Sequence, residues 1–60
     1  MEKLLTIDQV CEILQMKKST LYAWCHMKKL PHIKVGGSTR FREKDIIKWL
    51  DEHVEEAKNN

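Results

Sequence analysis

Acidic residues are absent from the middle of this 60-residue chain: between Gln15 and Arg42 there is no Asp and no Glu. That segment nevertheless contains seven basic residues, namely Lys17, Lys18, Lys28, Lys29, Lys34, Arg40 and Arg42. The formal net charge of only +2 therefore conceals a strongly basic centre between more acidic ends. Such a charge distribution attracts a polyanion, which makes nucleic acid the first partner to consider.

Long apolar runs are also absent, and none approaches the roughly 20 residues that cross a bilayer. Glu2 and Lys3 followed by two leucines do not form a signal peptide. We therefore expect a cytoplasmic protein with no membrane partner. A chain of 60 residues makes at most one small domain, here residues 1–60 with a core at 4–57 and a frayed C-terminal end. An enclosed catalytic pocket would compete with that thin core for apolar side chains, so a binding module is favoured over an enzyme.

Cysteine is scarce, and the two cysteines show no spacing that indicates a metal site. Cys11 and Cys25 lie in predicted helices at apolar positions, which favours reduced, buried thiols. A site built from them with His26 and His32 would lack any CxxC or HxxxH pair. Neither a nucleophile with its base nor a phosphate-binding GxxxxGK[ST] loop is present. We expect no catalytic residues, no cofactor and no metal.

Two short helices are predicted in the first half of the chain. Thr6 followed by Gln9 fits a capping box and predicts a helix over residues 7–14. A second apolar face, formed by Leu21, Trp24 and Cys25 at helical spacing, predicts another helix over residues 18–27. Two short helices joined by a three- or four-residue turn make a helix-turn-helix unit.

A hairpin is predicted next, because Pro31 ends the helical pattern and a double glycine separates two short alternating segments. We expect one set of side chains to face inward and one to face out: inward Ile33, Val35 and Phe41, and outward Lys34, Arg40 and Arg42.

A third helix is predicted over about residues 43–57. Its expected apolar stripe comprises Ile46, Ile47, Trp49, Leu50, His53, Val54 and Ala57. Trp24 and Trp49 are interpreted as core anchors and His53 as a partly buried structural residue. The predicted fold is thus mostly α with a small β-hairpin wing, a winged helix-turn-helix of order α-α-β-β-α.

The second helix has the size that fits the major groove of B-DNA, and its outward face carries no acid. That face offers Lys18, Ser19, Tyr22, Ala23 and His26. Lys18 could donate to guanine, Ser19 to several base edges, and the Ala23 methyl could pack on thymine, whereas Tyr22 and His26 suit phosphate or base alike. The alternative, that these are simply solvated positions, stays open.

The hairpin tip, residues 36–40, is the second candidate contact. Its glycines permit close backbone approach, although an ordinary tight turn also needs glycine, and Arg40 suits a narrow minor groove. The Thr6 hydroxyl and the first amides of helix one could bind a further phosphate. Lys28, Lys29 and Lys34 would add attraction that does not depend on base sequence.

Five ordered segments carry a resemblance to a known family: Leu5–Thr6, Ser19–Trp24, Leu30–Pro31, Val35–Gly37 and Arg40–Leu50. Together they resemble the small winged helix-turn-helix domains of the phage excisionase family, related to MerR-type DNA-binding domains. The resemblance implies that the second helix enters the major groove while the wing follows an adjacent minor groove or the phosphates. The candidate DNA contacts are Thr6, Lys18, Ser19, Thr20, Tyr22, Ala23, His26, Lys34, Gly37, Ser38, Thr39, Arg40 and Arg42.

Three positions depart from the family pattern. Gln15 and Lys28 stand where the family commonly has glycine, and Lys17 stands where it has a Ser or Thr cap. We therefore expect Gln15 and Lys28 to adopt left-handed backbone conformations at a local cost in stability.

The resemblance implies a DNA-binding protein of a bacterium or phage, associated with the nucleoid. Its role would be that of an excisionase (a recombination directionality factor) or a small transcriptional regulator of a mobile element. Partners would be double-stranded DNA, an integrase or other recombinase, and further copies of the chain on DNA, with a monomer in solution. Two alternatives remain: a protein-interaction module that docks a recombinase through the acidic segment 51–56, and, less favoured, an RNA-binding domain.

Overall fold

The computed structural model describes residues 3–55 and confirms a winged helix-turn-helix. Three helices surround a small antiparallel sheet. In chain order the elements are β1 (Leu4–Leu5), α1 (Ile7–Leu14), α2 (Lys18–His26), β2 (Ile33–Val35), β3 (Ser38–Arg42) and α3 (Glu43–Glu52).

The predicted capping box starts α1. Thr6 Oγ1 accepts a hydrogen bond from the Gln9 amide at 3.2 Å, and Gln9 Oε1 accepts one from the Thr6 amide at 2.9 Å. The two side chains thereby satisfy two backbone donors that would otherwise lack partners.

Both expected left-handed residues are present, and each ends a helix. Gln15 follows α1 with φ of 54°, and its amide donates to the Cys11 carbonyl. Lys28 follows α2 with φ of 60°. Lys17 precedes α2 without any side-chain capping bond, so this helix begins with its first amides uncapped by a side chain.

The strand β1 was not predicted from the sequence. It pairs with β3 in the sheet order β1-β3-β2, so that Leu5 lies opposite Phe41 and Leu4 opposite Arg42. The Glu43 amide extends this pairing by donating to the Lys3 carbonyl at 3.0 Å. The middle strand β3 therefore joins the start of the chain to the hairpin.

The hairpin has a two-residue turn, since Val35 pairs with Ser38. Both turn residues have positive φ, 57° at Gly36 and 86° at Gly37. That pattern matches the type I′ turn, in which glycine avoids the steric cost that other residues incur.

The predicted facing of the hairpin was wrong for three residues: the apolar Ile33 and Val35, and Lys34. Paired residues share a face and successive residues alternate, so Ile33 and Val35 lie on the face of Ser38 and Arg40. Phe41 lies on the opposite face with Thr39 and with Lys34, which was predicted to face away from Phe41. Val35 is accordingly 49% exposed rather than inward, whereas Phe41 is fully buried.

The core draws on every element except β2. Its buried side chains are Leu5, Ile7, Val10, Leu21, Cys25, Leu30, Phe41 and Ile46. Trp24 and Trp49 are half-buried and pack against the edge of this cluster, as predicted for anchors, with ring centroids 5.8 Å apart. Trp49 also ties α3 to the chain beyond α2, because its Nε1 donates to the Lys29 carbonyl at 2.8 Å.

The predicted third helix, 43–57, was too long. α3 ends at Glu52, residues 53–55 are not helical, and 56 and 57 lie outside the described residues. Among the stripe residues that the structure describes, only Ile46 is buried, while Ile47, Leu50 and Val54 are exposed. His53, expected to be partly buried, is exposed; its ring lies on Trp49 at a centroid distance of 4.0 Å.

Replacing Gln15 with glycine tests the strain at the inter-helix turn. Because φ at this position is 54°, we expect Gln15→Gly to raise the free energy of unfolding by about 1 kcal/mol in urea denaturation. Gln15→Ala is the matched control, since it removes the same side chain but keeps the Cβ and therefore the strain. Equal stability of the Gly and Ala variants would contradict this account.

Candidate nucleic-acid interface

The outward face of α2 is presented to solvent because the opposite face supplies the core. Leu21 and Cys25 are buried, and the predicted contact residues of this helix are exposed or, for Thr20, half-buried. Tyr22 is 46% exposed, so its ring and hydroxyl are accessible to a ligand.

An open groove lies between α2 and the hairpin. Its lining residues are Tyr22, Cys25, His26, Lys28, His32, Lys34 and Thr39. Four of them, Tyr22, His26, Lys34 and Thr39, are predicted contacts, and the fold brings them together from two separate segments. No carboxylate lines the groove, so its potential favours an anionic ligand.

His32 is a groove residue that the candidate contact set omitted. Its Nδ1 lies 2.9 Å from the Leu30 carbonyl, and because a carbonyl can only accept, Nδ1 carries the proton. In the neutral ring, Nε2 is then left as an acceptor. No motif marks this residue; its position between Pro31 and β2 becomes informative only once the groove is known.

Cys25 forms the floor of the groove rather than a reactive group. Both cysteines are free thiols, Cys11 half-buried and Cys25 buried. Burial raises the pKa of the Cys25 thiol, which keeps it protonated near neutral pH.

The wing places its predicted contacts on two faces. Lys34 and Thr39 pair across the hairpin and line the groove, whereas Arg40 and Arg42 lie on the other face. The tip at Gly37 projects into open space, since an added Cβ would meet nothing within 4 Å. Ser38 is exposed beside it.

The Arg40 side chain is hydrogen-bonded to the backbone of its own strand. Its Nη1 donates to the Thr39 carbonyl at 2.8 Å, and the side chain is half-buried. Because the guanidinium has five N–H donors, others remain available for a phosphate or a base.

The outward face of α2 was expected to be free of acid. That is correct for the residues of α2 itself but wrong for the folded protein. The outward face of α2 contains no acid of its own, but Asp8 of α1 lies against it: Asp8 Oδ1 is 2.9 Å from Lys18 Nζ. The hydrogen bond from Lys18 to Asp8, with their Coulomb attraction, raises the pKa of the Lys18 ammonium. Sequence spacing cannot show this contact because it joins two helices.

Thr6 is not among the residues that line the groove, and its hydroxyl is engaged in the capping box. Its first role is therefore to start α1, whatever further contact it makes.

Residues 3–55 contain neither a metal-binding cluster nor a membrane-spanning helix. That part of the chain holds no group of three or more His, Cys, Asp or Glu arranged to bind a metal ion. Within the same range, every helix is too short or too polar to span a membrane.

The three helices, the glycine-tipped hairpin and the basic groove between them define a winged helix-turn-helix domain. Comparison with protein families agrees: a family model described as a helix-turn-helix domain matches residues 4–54. The chain belongs to this helix-turn-helix domain family, and its membership supports DNA binding as the general function. No curated protein and no solved structure matches the chain.

Removing the Thr6 hydroxyl tests the structural role of the capping box. We expect Thr6→Ala to lower the free energy of unfolding by about 1 kcal/mol, because the Gln9 amide loses its acceptor. Thr6→Ser keeps that acceptor and should retain most of the stability. If urea denaturation gives the Ala and Ser variants the same stability, the hydroxyl does not cap α1.

Proposed function

We propose that this chain recognises specific sequences in double-stranded DNA without catalysing a reaction. The observation that carries the proposal is the groove in which α2 and the hairpin place Tyr22, His26, Lys34 and Thr39 side by side without a carboxylate. An interface of that composition suits a phosphate backbone together with the base edges beside it.

In this proposal α2 enters the major groove. Nine helical residues at 1.5 Å each span roughly 13 Å, which is close to the width of the major groove of B-DNA. Lys18 and Ser19 at its N-terminal end approach base edges, Thr20 flanks them, and the Ala23 methyl packs on a thymine methyl. Tyr22 and His26, which also line the groove, bind phosphate or base.

The wing contacts the neighbouring backbone and minor groove. Lys34 and Thr39 face α2 and bind the phosphates that flank the major groove. Ser38 and Arg40 lie on the other face, from which Arg40 reaches the adjacent minor groove. Gly37 lets the tip approach closely, while Arg42 and Thr6 supply further phosphate contacts.

The biological role that we propose follows the resemblance to excisionases: directing recombination, or regulating transcription from a mobile element. The chain would act in the cytoplasm, on the nucleoid, as a monomer that binds adjacent copies of itself on DNA. A selected binding motif that recurs at recombination sites would support the first role, and one that recurs at promoters the second.

A second candidate function is docking of a protein partner such as a recombinase. The observation that favours it is the exposed apolar series Ile47, Leu50 and Val54 beside acidic residues of α3. Reversing the charges of Glu52 and Glu55 should then abolish partner binding and leave DNA affinity unchanged. Glu56, which belongs to the same predicted acidic segment, lies outside the described residues.

The proposed function is tested by selecting binding sites from randomised duplex DNA near physiological salt with the full chain. An enriched motif supports sequence-specific recognition. Binding without enrichment, together with strong salt dependence, would show that the basic surface acts through charge alone.

Single substitutions separate base reading from phosphate binding. We expect Arg40→Ala to weaken binding to all duplexes alike and to reduce the salt slope by about 0.9, the value of one phosphate contact. Ser19→Ala and Tyr22→Ala should instead change which sequence is preferred. Lys48→Ala is the matched control for charge, because it removes one cation from the exposed side of α3. Equal losses on selected and random duplexes for Ser19→Ala and Tyr22→Ala would contradict base reading by α2.

A further inference from the structure

Residues 3–55 contain a single ion pair among themselves, and it lies at the proposed DNA interface. Lys18 is the first residue of α2, and Asp8 is the second residue of α1. Lys18 Nζ and Asp8 Oδ1 are 2.9 Å apart, with the two side chains 54% and 74% exposed. The pair therefore joins the two helices of the helix-turn-helix unit on their solvent side.

Stability does not explain this pair well, because exposed ion pairs contribute little to folding. The main effect of the ion pair is to restrict the position of the Lys18 ammonium. A free lysine is a point charge on a long flexible chain and binds any nearby phosphate. Asp8 limits that freedom and brings a negative charge that repels phosphates.

We propose that Asp8 is a positioning residue for DNA recognition, holding the Lys18 ammonium toward a base edge and away from arbitrary phosphates. The inference rests on the proposed function, since it assigns a specificity role within the same interface. It accounts for the presence of a carboxylate against a helix face that is otherwise free of acid.

The donor count of the ammonium fits this role. A lysine ammonium has three N–H donors, and Asp8 accepts one of them. Two remain for the O6 and N7 acceptors that guanine presents in the major groove. A phosphate on the same ammonium would lie close to the Asp8 carboxylate, and two like charges at that distance repel each other. The ion pair thus favours binding of the Lys18 ammonium to guanine over binding to the DNA backbone. Repulsion between Asp8 and a phosphate is the unfavourable contact that creates this specificity.

The test measures affinity for a selected site and for random duplex, each across a range of salt concentrations. Asp8→Asn removes the negative charge that attracts the Lys18 ammonium and repels phosphates, so we expect tighter binding to random duplex and a salt slope steeper by about 0.9. The ratio of specific to nonspecific affinity should fall about fivefold or more, as for the loss of one base contact. Asp51→Asn is the matched control: it makes the same chemical change and the same change in net charge on α3. It should leave the ratio unchanged.

A second variant shows whether Asp8 acts through Lys18. In a Lys18→Gln background, Asp8→Asn should no longer change the ratio or the preferred base. If Asp8→Asn alters the preferred base in that background too, Asp8 reads DNA directly, and the positioning role is wrong. It is also wrong if Asp8→Asn and Asp51→Asn give the same ratio and salt slope.

These outcomes are distinct from failure of the proposed function. If the unmodified chain enriches no motif, sequence-specific recognition itself is wrong. If the unmodified chain enriches a motif and Asp8→Asn retains its full specificity ratio, only the role of Asp8 is overturned. Thermal unfolding of each variant establishes that the fold is intact. Asp8 is also an acid in the first turn of α1, so Asp8→Asn should lower the melting temperature slightly, through the helix dipole as well as the exposed pair.

Discussion

Burial of Phe41 in the middle strand of the sheet is the constraint on which the rest of this structure depends. Phe41 is fully buried and lies opposite Leu5 of β1, while its strand pairs on the other side with β2 and continues directly into α3. The wing, the start of α1 and the closing helix are therefore all fixed by one strand. Removing so large a side chain from a core costs about 3–5 kcal/mol, a large part of the stability of a small domain. Phe41 also belongs to the same buried cluster as Leu21 and Cys25 of α2, which links the sheet to the helix on the other side of the groove.

Local signals in the sequence were sufficient for most of the fold. The capping box at Thr6 predicted the start of α1 to the residue, and the double glycine predicted the turn of the hairpin. Both of these features depend on neighbouring residues, which a single sequence records directly. The left-handed conformations of Gln15 and Lys28 were predicted from the family resemblance instead, because the family commonly has glycine at both positions.

The features that sequence reasoning missed depend on contacts between distant segments. A two-residue strand such as β1 has no periodicity, and it exists only because β3 offers an edge to pair with. Val35 was assigned to the wrong face because the alternation of side chains was considered in each strand separately. The two-residue turn pairs Val35 with Ser38, which places it on the face opposite Phe41. α3 ends before Val54 although apolar spacing continues, since nothing in the described core covers that residue. The contact between Asp8 and Lys18 joins residues of two different helices. The positions of acidic residues along the chain therefore predicted, wrongly, that the α2 face has no acid near it.

The central claim is that α2 and the wing form one continuous DNA-binding surface. The most direct measurement is a titration of the isotope-labelled chain with a selected duplex, followed by amide chemical shifts in solution NMR. The account predicts that the largest shifts fall together at Ser19, Tyr22 and His26 of α2 and at Lys34 and Thr39 of the hairpin, with α3 little changed beyond Ile47. Large shifts confined to α3, or to α2 without the hairpin, would contradict it.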